Sequence, residues 1–307
     1  MSHQAPTPSK KTWIDLQAIV DRGGKLVMVT AYDATMAHIA DAAGADIILV
    51  GDSVGNACLG FENTLSVTMA MMRHHLEAVA RARPNAYLMA DLPFLSYQLS
   101  VEDALRNAGI LVRAGAQAVK LEGGGANRIT VVRTLVDAGI PVMGHLGLTP
   151  QSLHSIGGYK VQAKEESQAI QLMEEAKQLE EAGCFSVLLE CIPKELAALV
   201  TDSLNIFTIG IGAGSNCSGQ VLVFHDILGL NPGPYPKFVR NYLDGYNKMV
   251  IAMSQWSSDV KNGIFPSEKE SYKLSEAVFE KLAARFFKTN QFVSKRKKHD
   301  LQKETSK

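Results

Sequence analysis

The chain has little of what marks several large protein classes. Cysteine occurs only four times in 307 residues, at Cys58, Cys184, Cys191 and Cys217, with no CxxC pair. That scatter gives no disulfide framework and no zinc ribbon. Cys184 and Cys191 flank an apolar run and read as small buried hydrophobes. Neither sign of charge is in excess: 31 Lys and Arg balance 31 Asp and Glu. There is thus no electrostatic reason to expect nucleic acid or an anionic membrane as partner. No apolar run approaches the ~20 residues needed to span a membrane. Residues 1–11 are polar, contain Pro6 and Pro8, and lack an apolar segment. They are expected to form a disordered tail rather than a secretory signal, and the expected location is the cytoplasm. A hydrophobic content of 46% with 20% charged residues is that of a globular chain with a real core.

Short apolar runs alternate with longer amphipathic segments from residue 26 onward. Runs at 26–30, 46–50, 86–90, 117–121, 141–144, 185–189, 206–209 and 221–224 read as strands. Helical segments at 34–43, 67–82, 100–113, 126–138, 165–182 and 193–200 separate most of them. Ser100-Val101-Glu102-Asp103 is a capping box, Pro193 opens a helix, and Gly44, Gly115, Gly139 and Gly183 close others. The strands lack period-two alternation, as expected of parallel strands buried on both faces. The pattern predicts an α/β fold, a (β/α)8 TIM barrel over residues 12–266, preceded by a helix over 13–20. A doubly wound open sheet is the alternative, but the turn after its first strand reads Thr30-Ala31-Tyr32-Asp33 rather than a glycine-rich fingerprint. Beyond the barrel, residues 236–262 read as a helical stretch with a break near Gly245, and 268–288 as a second amphipathic helix. Residues 267–307 thus form a helical extension with a basic polar tail, including Lys295-Arg296-Lys297-Lys298.

In this fold the chemistry sits at the C-terminal ends of the strands. Asp52, Asp91, Glu122 and Glu190 end the second, third, fourth and sixth runs, and Asp33 follows the first. A single strand-end acid serves equally well as a helix cap. Three on consecutive strands, about 4.8 Å apart, repel one another unless a cation sits among them. Acid oxygens without nitrogen or sulfur suit a hard ion such as Mg²⁺. Asp52, Asp91 and Glu122 are therefore the expected metal set, by direct contact or through water. Lys120 points the same way as Glu122; it can neutralise acids, hold a substrate carboxylate or stabilise developing negative charge. Glu190 stands apart and is the candidate general base, with His145 as rival. Ser53 can bond a substrate carboxylate or cap its loop. Gly210-Ile211-Gly212-Ala213-Gly214 either cradles phosphate or serves tight packing. A divalent ion, a lysine and a separate carboxylate suit enolate chemistry on an α-keto acid.

Motifs along the chain sharpen this reading. Val50-Gly51-Asp52-Ser53, Ala90-Asp91-Leu92-Pro93-Phe94, Val119-Lys120-Leu121-Glu122-Gly123-Gly124, Gly144-His145-Leu146-Gly147-Leu148-Thr149-Pro150-Gln151-Ser152, Gly157-Gly158-Tyr159-Lys160-Val161-Gln162 and Ile209-Gly210-Ile211-Gly212-Ala213-Gly214 occur in order. Together they resemble the 3-methyl-2-oxobutanoate hydroxymethyltransferase (ketopantoate hydroxymethyltransferase) family over about residues 25–266. The resemblance implies transfer of a hydroxymethyl group from 5,10-methylenetetrahydrofolate to 3-methyl-2-oxobutanoate, the first step of pantothenate biosynthesis. It implies a TIM barrel assembled as a homo-oligomer, commonly a decamer, that uses Mg²⁺. By motif it makes Asp52, Asp91 and Glu122 the metal positions, Asp52, Ser53, Asp91 and Lys120 the keto-acid contacts, and Glu190 the proton acceptor. The chain departs from the family at Ser66, where proline is usual, and at Ala126-Asn127, where an acid and an aromatic are common. A different-class reading, a non-catalytic scaffold barrel, predicts loss of some of these acids. A lyase of the phosphoenolpyruvate mutase and isocitrate lyase type predicts a catalytic cysteine loop, which the sequence lacks.

Overall fold

The computed structural model describes residues 10–287. Residues 1–9 of the expected tail, and the Lys295-Arg296-Lys297-Lys298 run, lie outside the described residues. Lys11, the last residue of that expected tail, is tied down. Its ammonium lies 2.6 Å from Asp46 Oδ1, and its N–H donates to the Asn85 carbonyl at 2.8 Å.

Eight strands form one closed parallel barrel in sequence order. They are β1 (Leu26–Thr30), β2 (Ile47–Val50), β3 (Tyr87–Asp91), β4 (Ala118–Glu122), β5 (Val142–Gly147), β6 (Ser186–Glu190), β7 (Phe207–Ile211) and β8 (Gly219–Leu222). The helices of the outer layer are α2 (Ala34–Ala42), α4 (Met69–Arg81), α5 (Val101–Arg113), α6 (Gly125–Asp137), α8 (Glu166–Glu181) and α9 (Lys194–Ser203). Before them α1 (Trp13–Asp21) starts on a capping box, with the Asp15 N–H donating to Thr12 Oγ1 and the Thr12 N–H donating to Asp15. Short helices α3 (Val54–Ala57), α7 (Leu153–Ile156) and α10 (Phe224–Leu228) sit in the loops after β2, β5 and β8.

Alternation along the strands sorts the core into two layers. Met28, Ile47, Leu49, Met89, Met143, Leu188 and Ile209 fill the barrel with Leu16 of α1 beneath them. Ile48, Val50, Leu88, Ala90, Val119, Leu121, Val187 and Leu189 face outward onto Leu76, Leu111, Leu135 and Leu179 of the helices. Both strand faces are thus apolar, which is why no period of two shows in the sequence. Burying each such side chain contributes about 1.5–3 kcal/mol. The barrel floor is sealed by aromatic packing of Trp13 and Tyr87 on Phe185, and of Phe185 on Phe207. Polar inward residues are left for the opposite, C-terminal end.

Strand boundaries differ from the sequence expectation chiefly in three places. β7 runs on to Ile211, past the expected end at 209, paired with β6 as far as Glu190 opposite Ile211. β5 continues to Gly147 rather than ending at Gly144 because it pairs with β6 as far as Gly147 opposite Glu190. His145 is therefore inside a strand. β8 starts at Gly219, and Phe224 already opens α10. At Gly219 a Cβ would meet Leu26 O at 2.7 Å, so the β-propensity of the later residues alone gave a shifted start.

The chain divides into two units, residues 1–246 and 247–307. Residues 236–244, expected to be helical, are not. Within them the Val239 N–H donates to Pro236 O at 3.0 Å in a local turn, and the Tyr242 N–H to Ile227 O of α10 at 2.7 Å. Helix α11 (Gly245–Lys261) begins at the predicted break. In the second unit, α12 (Glu276–Phe286) is shorter than the expected 268–288. Ser267 and Glu270 close a local turn there, with the Ser267 N–H donating to Glu270 Oε2 at 2.9 Å and the Glu270 N–H to Ser267 O at 3.2 Å. Ile251, Met253 and Trp256 of α11 and Leu282 and Phe286 of α12 are exposed in the single chain. Among the described residues no helix is long and apolar enough to cross a membrane.

Candidate active site

Parallel register delivers the site residues in pairs. Asp91 on β3 stands opposite Lys120 on β4, and Glu122 on β4 opposite His145 on β5. Paired residues of adjacent strands point to the same face, so all four side chains enter the barrel. Asp52 lies two residues past the end of β2, and Glu190 ends β6. Together with Ser53, these residues line a cavity of about 150 Å³ at the C-terminal rim.

Contacts among them are close. Lys120 Nζ lies 3.0 Å from Asp91 Oδ1 and 3.3 Å from His145 Nδ1. His145 Nδ1 is 3.4 Å from Glu122 Oε1, and its Nε2 is 3.2 Å from Glu190 Oε2. Asp91 Oδ2 accepts the Asp52 N–H at 3.0 Å. Gly51 makes this approach possible, because a Cβ there would lie 2.8 Å from Ser53 Oγ and 3.3 Å from Asp91 Oδ2. Ser53 Oγ is 2.9 Å from the Tyr32 hydroxyl. Burial separates the roles: Asp52, Asp91, Lys120, Glu122 and His145 are at most 4% exposed, whereas the Glu190 side chain is 16% exposed, at the mouth.

Electrostatics follow from crowding in a dry site. Burial, then the neighbouring Asp91 and Glu122 carboxylates, hold the Asp52 carboxyl well above the usual range. Burial also raises Asp91, though Lys120 opposes it. Glu122 is likewise penalised by burial, but the hydrogen bond and charge of His145, with Lys120 and the Gln151 N–H, outweigh that and bring it below its ordinary value. Burial and Lys120 act to lower His145; Glu122 and Glu190 overcome them and raise it to about 9. Lys120 is raised by Asp91, Glu122 and Asp52 against the desolvation that would lower it. It is therefore a firm cation and a poor Schiff-base nucleophile.

Three residues of this site were not singled out by the sequence reading. Gln151, in the short 3₁₀ turn after β5, donates from Nε2 to Asp52 Oδ2 at 2.8 Å and from its backbone N–H to Glu122 Oε2 at 2.9 Å. Tyr97, in the loop after β3, donates to Gln151 Oε1 at 2.8 Å and accepts the Glu122 N–H at 3.0 Å. Asp226 in α10 adds a fifth carboxyl to the cavity wall, raised by burial. None is a strand-end acid, and Gln151 and Tyr97 reach the site from loops, so periodicity carries no signal for them. Motif order alone could have drawn attention to Gln151.

Two weaker candidates fall to structural roles. Asp33 caps α2, its Oδ1 accepting the Met36 N–H at 2.7 Å. The glycines after β7 serve packing: a Cβ at Gly212 would meet Phe238 at 2.9 Å and Cys191 Sγ at 3.2 Å. Cys58 lies 3.5 Å from His225 Nε2 and does not line the cavity.

The donor set fits a small hard divalent cation. Five carboxyl groups face two cationic groups around the cavity. Asp91 Oδ1 is buried, and its partner is the charge of Lys120 at 3.0 Å. Among the described residues no three His, Cys, Asp or Glu side chains already converge on one point. Glu122 is drawn to His145 and Gln151, leaving Asp52 and Asp91 as the nearer pair. One or two carboxylates completed by water and substrate oxygens is the usual Mg²⁺ arrangement.

The barrel resembles solved enzyme structures in fold. Phosphonopyruvate hydrolase in complex with oxalate and Mg²⁺ superposes with a TM-score of 0.55 at 14% identity, covering 90% of this chain and 99% of that one. A 2,3-dimethylmalate lyase of the phosphoenolpyruvate mutase/isocitrate lyase superfamily gives 0.55 at 17% identity, covering 94% and 98%. At these identities the likeness defines a TIM-barrel fold and nothing finer. Sequence goes further. Residues 10–268 match the family model for ketopantoate hydroxymethyltransferase. The 3-methyl-2-oxobutanoate hydroxymethyltransferase 2 of Bradyrhizobium diazoefficiens is 58% identical over 277 residues, 90% of this chain and 94% of that protein. The 3-methyl-2-oxobutanoate hydroxymethyltransferase of Methylobacterium sp. (strain 4-46) is 59% identical over 263 residues, 86% and 91% of the two chains. The chain belongs to the ketopantoate hydroxymethyltransferase family and is an enzyme of that type.

Proposed function

We propose that this enzyme transfers the one-carbon unit of 5,10-methylenetetrahydrofolate to C3 of 3-methyl-2-oxobutanoate as a hydroxymethyl group, consuming one water and giving 2-dehydropantoate and tetrahydrofolate in the first step of pantothenate synthesis. The observation that carries this reading is the division of labour in one small cavity. Asp52, Asp91, Lys120 and Glu122 crowd one side, and the more exposed Glu190 stands opposite on β6. A cavity of about 150 Å³ suits a five-carbon keto acid.

Asp52 and Asp91, with Glu122 behind them, would hold Mg²⁺. The ion supplies a Lewis acid for the keto oxygen and for charge that develops there. Lys120, a buried permanent cation, attracts the substrate carboxylate and stabilises negative charge as the enolate forms. Ser53 offers its hydroxyl to the substrate, oriented by Tyr32. Glu190 takes the proton from C3 of the keto acid and, lying at the mouth, passes it to water. His145 holds Glu190 in place from the opposite side. We further propose a homo-oligomer, a decamer by family resemblance; the exposed apolar residues of α11 and α12 support association.

Incubation with keto acid, methylenetetrahydrofolate and Mg²⁺ tests the assignment. Equal amounts of 2-dehydropantoate and tetrahydrofolate are expected. Turnover of the keto acid without consumption of the folate would refute it.

A further inference from the structure

Gln151 makes more bonds to the acid cluster than any sequence feature announces. Its side chain is 6% exposed and every polar atom is engaged. Nε2 donates to Asp52 Oδ2 at 2.8 Å and to Leu92 O at 2.9 Å. Oε1 accepts the Tyr97 hydroxyl at 2.8 Å and Gln98 Nε2 at 3.0 Å. Two acceptors on one side and two donors on the other leave the amide a single orientation. Tyr97 has one proton to give. Its oxygen accepts the Glu122 N–H at 3.0 Å, and of the two acceptors within reach Gln151 Oε1 at 2.8 Å is nearer than the Glu122 carbonyl at 3.3 Å. The backbone N–H of Gln151 completes the clasp on Glu122 Oε2 at 2.9 Å.

Gln151 therefore grips one oxygen of Asp52 by its side chain and one of Glu122 by its backbone. These bonds fix the orientation of each carboxylate, and Asp52 can rotate to bring both oxygens onto one ion only by straining a buried hydrogen bond. That constraint matters differently to different ions. Mg²⁺ needs near-octahedral geometry at about 2.0–2.1 Å, usually with single carboxylate oxygens and waters. Ca²⁺ takes about 6–8 oxygens at longer distance and readily uses both oxygens of a carboxylate.

We propose that Gln151 is a positioning residue that makes Asp52 present a single oxygen to the cavity and so selects Mg²⁺ over Ca²⁺. The inference rests on the metal-dependent reading above and adds to it the residue that sets ion selectivity. Gln151 touches neither substrate nor reacting atoms in this account; it acts through Asp52.

Calorimetric titration of the full chain with MgCl₂ and, separately, CaCl₂ tests this without any activity assay. Gln151→Met keeps the length and the backbone N–H bond to Glu122 but removes the amide. Outer-shell partners of metal ligands typically govern about 10–100-fold in affinity. Mg²⁺ affinity should fall by at least about tenfold while Ca²⁺ affinity changes little, so the Mg²⁺/Ca²⁺ ratio drops by that factor. A folded Gln151→Met protein, by circular dichroism, with the wild-type ratio would overturn the inference and leave the metal reading standing. Binding of neither ion to the wild-type chain would overturn both. Tyr97→Phe decides the matter if Gln151→Met does not fold. It loosens the amide without removing it, and a smaller drop in the ratio is expected, whereas an unchanged ratio again overturns the role.

Discussion

His145 Nε2 lies 3.2 Å from Glu190 Oε2, while Nδ1 of the same ring lies 3.4 Å from Glu122 Oε1. One buried imidazole thus joins the carboxyl group at the cavity mouth to the acid cluster at its back. The two candidate bases of the sequence, Glu190 and His145, thus stand side by side. Burial and Lys120, 3.3 Å from Nδ1, oppose the protonated ring, while the two carboxylates favour it.

This pairing predicts a pH dependence of stability. Burial acts to lower His145, but Glu122 and Glu190 outweigh it and raise the ring from the ordinary 6.5 to about 9 in the folded, metal-free chain. A raised cationic group stabilises fully below its unfolded pKa, and the contribution is lost as pH rises through the folded one. Metal-free protein should therefore lose on the order of 3 kcal/mol between about pH 6.5 and 9. His145→Gln should flatten that slope. Urea unfolding in the presence of a chelator measures both, and equal slopes would contradict the pairing.

Lys120 and Asp91 form a buried ion pair, each side chain 4% exposed. Lys120→Met would leave Asp91 without its cation. Breaking one side of a buried pair typically costs about 3–5 kcal/mol, and urea unfolding at pH 7 should show a loss of that order. A loss below about 0.5 kcal/mol, the range of an ordinary surface change, would mean that the pair does not stabilise the fold.

Much of this arrangement was legible before any coordinates. Strand-end acids, the spacing of Lys120 and Glu122, and eight buried apolar runs all follow from short-range pattern, and the barrel keeps that order. The rest depended on distant parts of the chain. Gln151 reaches Asp52 from 99 positions away, and nothing local marks it as different from any loop glutamine. Residues 236–244 were expected to be helical, yet the Tyr242 N–H is used by Ile227 of α10. Asp33 shows the converse error: a strand-end acid in the right place whose side chain caps the next helix.

Mg²⁺ binding should release protons. Asp52 and Asp91 are both raised, chiefly by burial, with the neighbouring Asp91 carboxylate adding to the effect on Asp52. An acid raised in this way keeps its proton to higher pH, so a cation that needs the carboxylate must displace it. Affinity for Mg²⁺ should weaken as pH falls. The heat of binding at one pH should differ between buffers of different ionisation heat, and buffer-independent heat would contradict the shared protonation.

Glu190→Gln keeps the shape of the side chain and removes the base. Exchange of the C3 proton of the keto acid should slow by about 10²–10⁴-fold. Keto-acid affinity should change little, because Asp52, Ser53, Asp91 and Lys120 sit on other strands. Wild-type exchange in this variant would move the base elsewhere.

The central claim is that the barrel rim makes an enolate of the keto acid before any carbon is transferred. Proton NMR of 3-methyl-2-oxobutanoate in D₂O, with enzyme and Mg²⁺ but no folate, tests it most directly. The account predicts loss of the C3 proton signal that stops when the metal is chelated. Full retention of that signal by folded, Mg²⁺-loaded enzyme would contradict it.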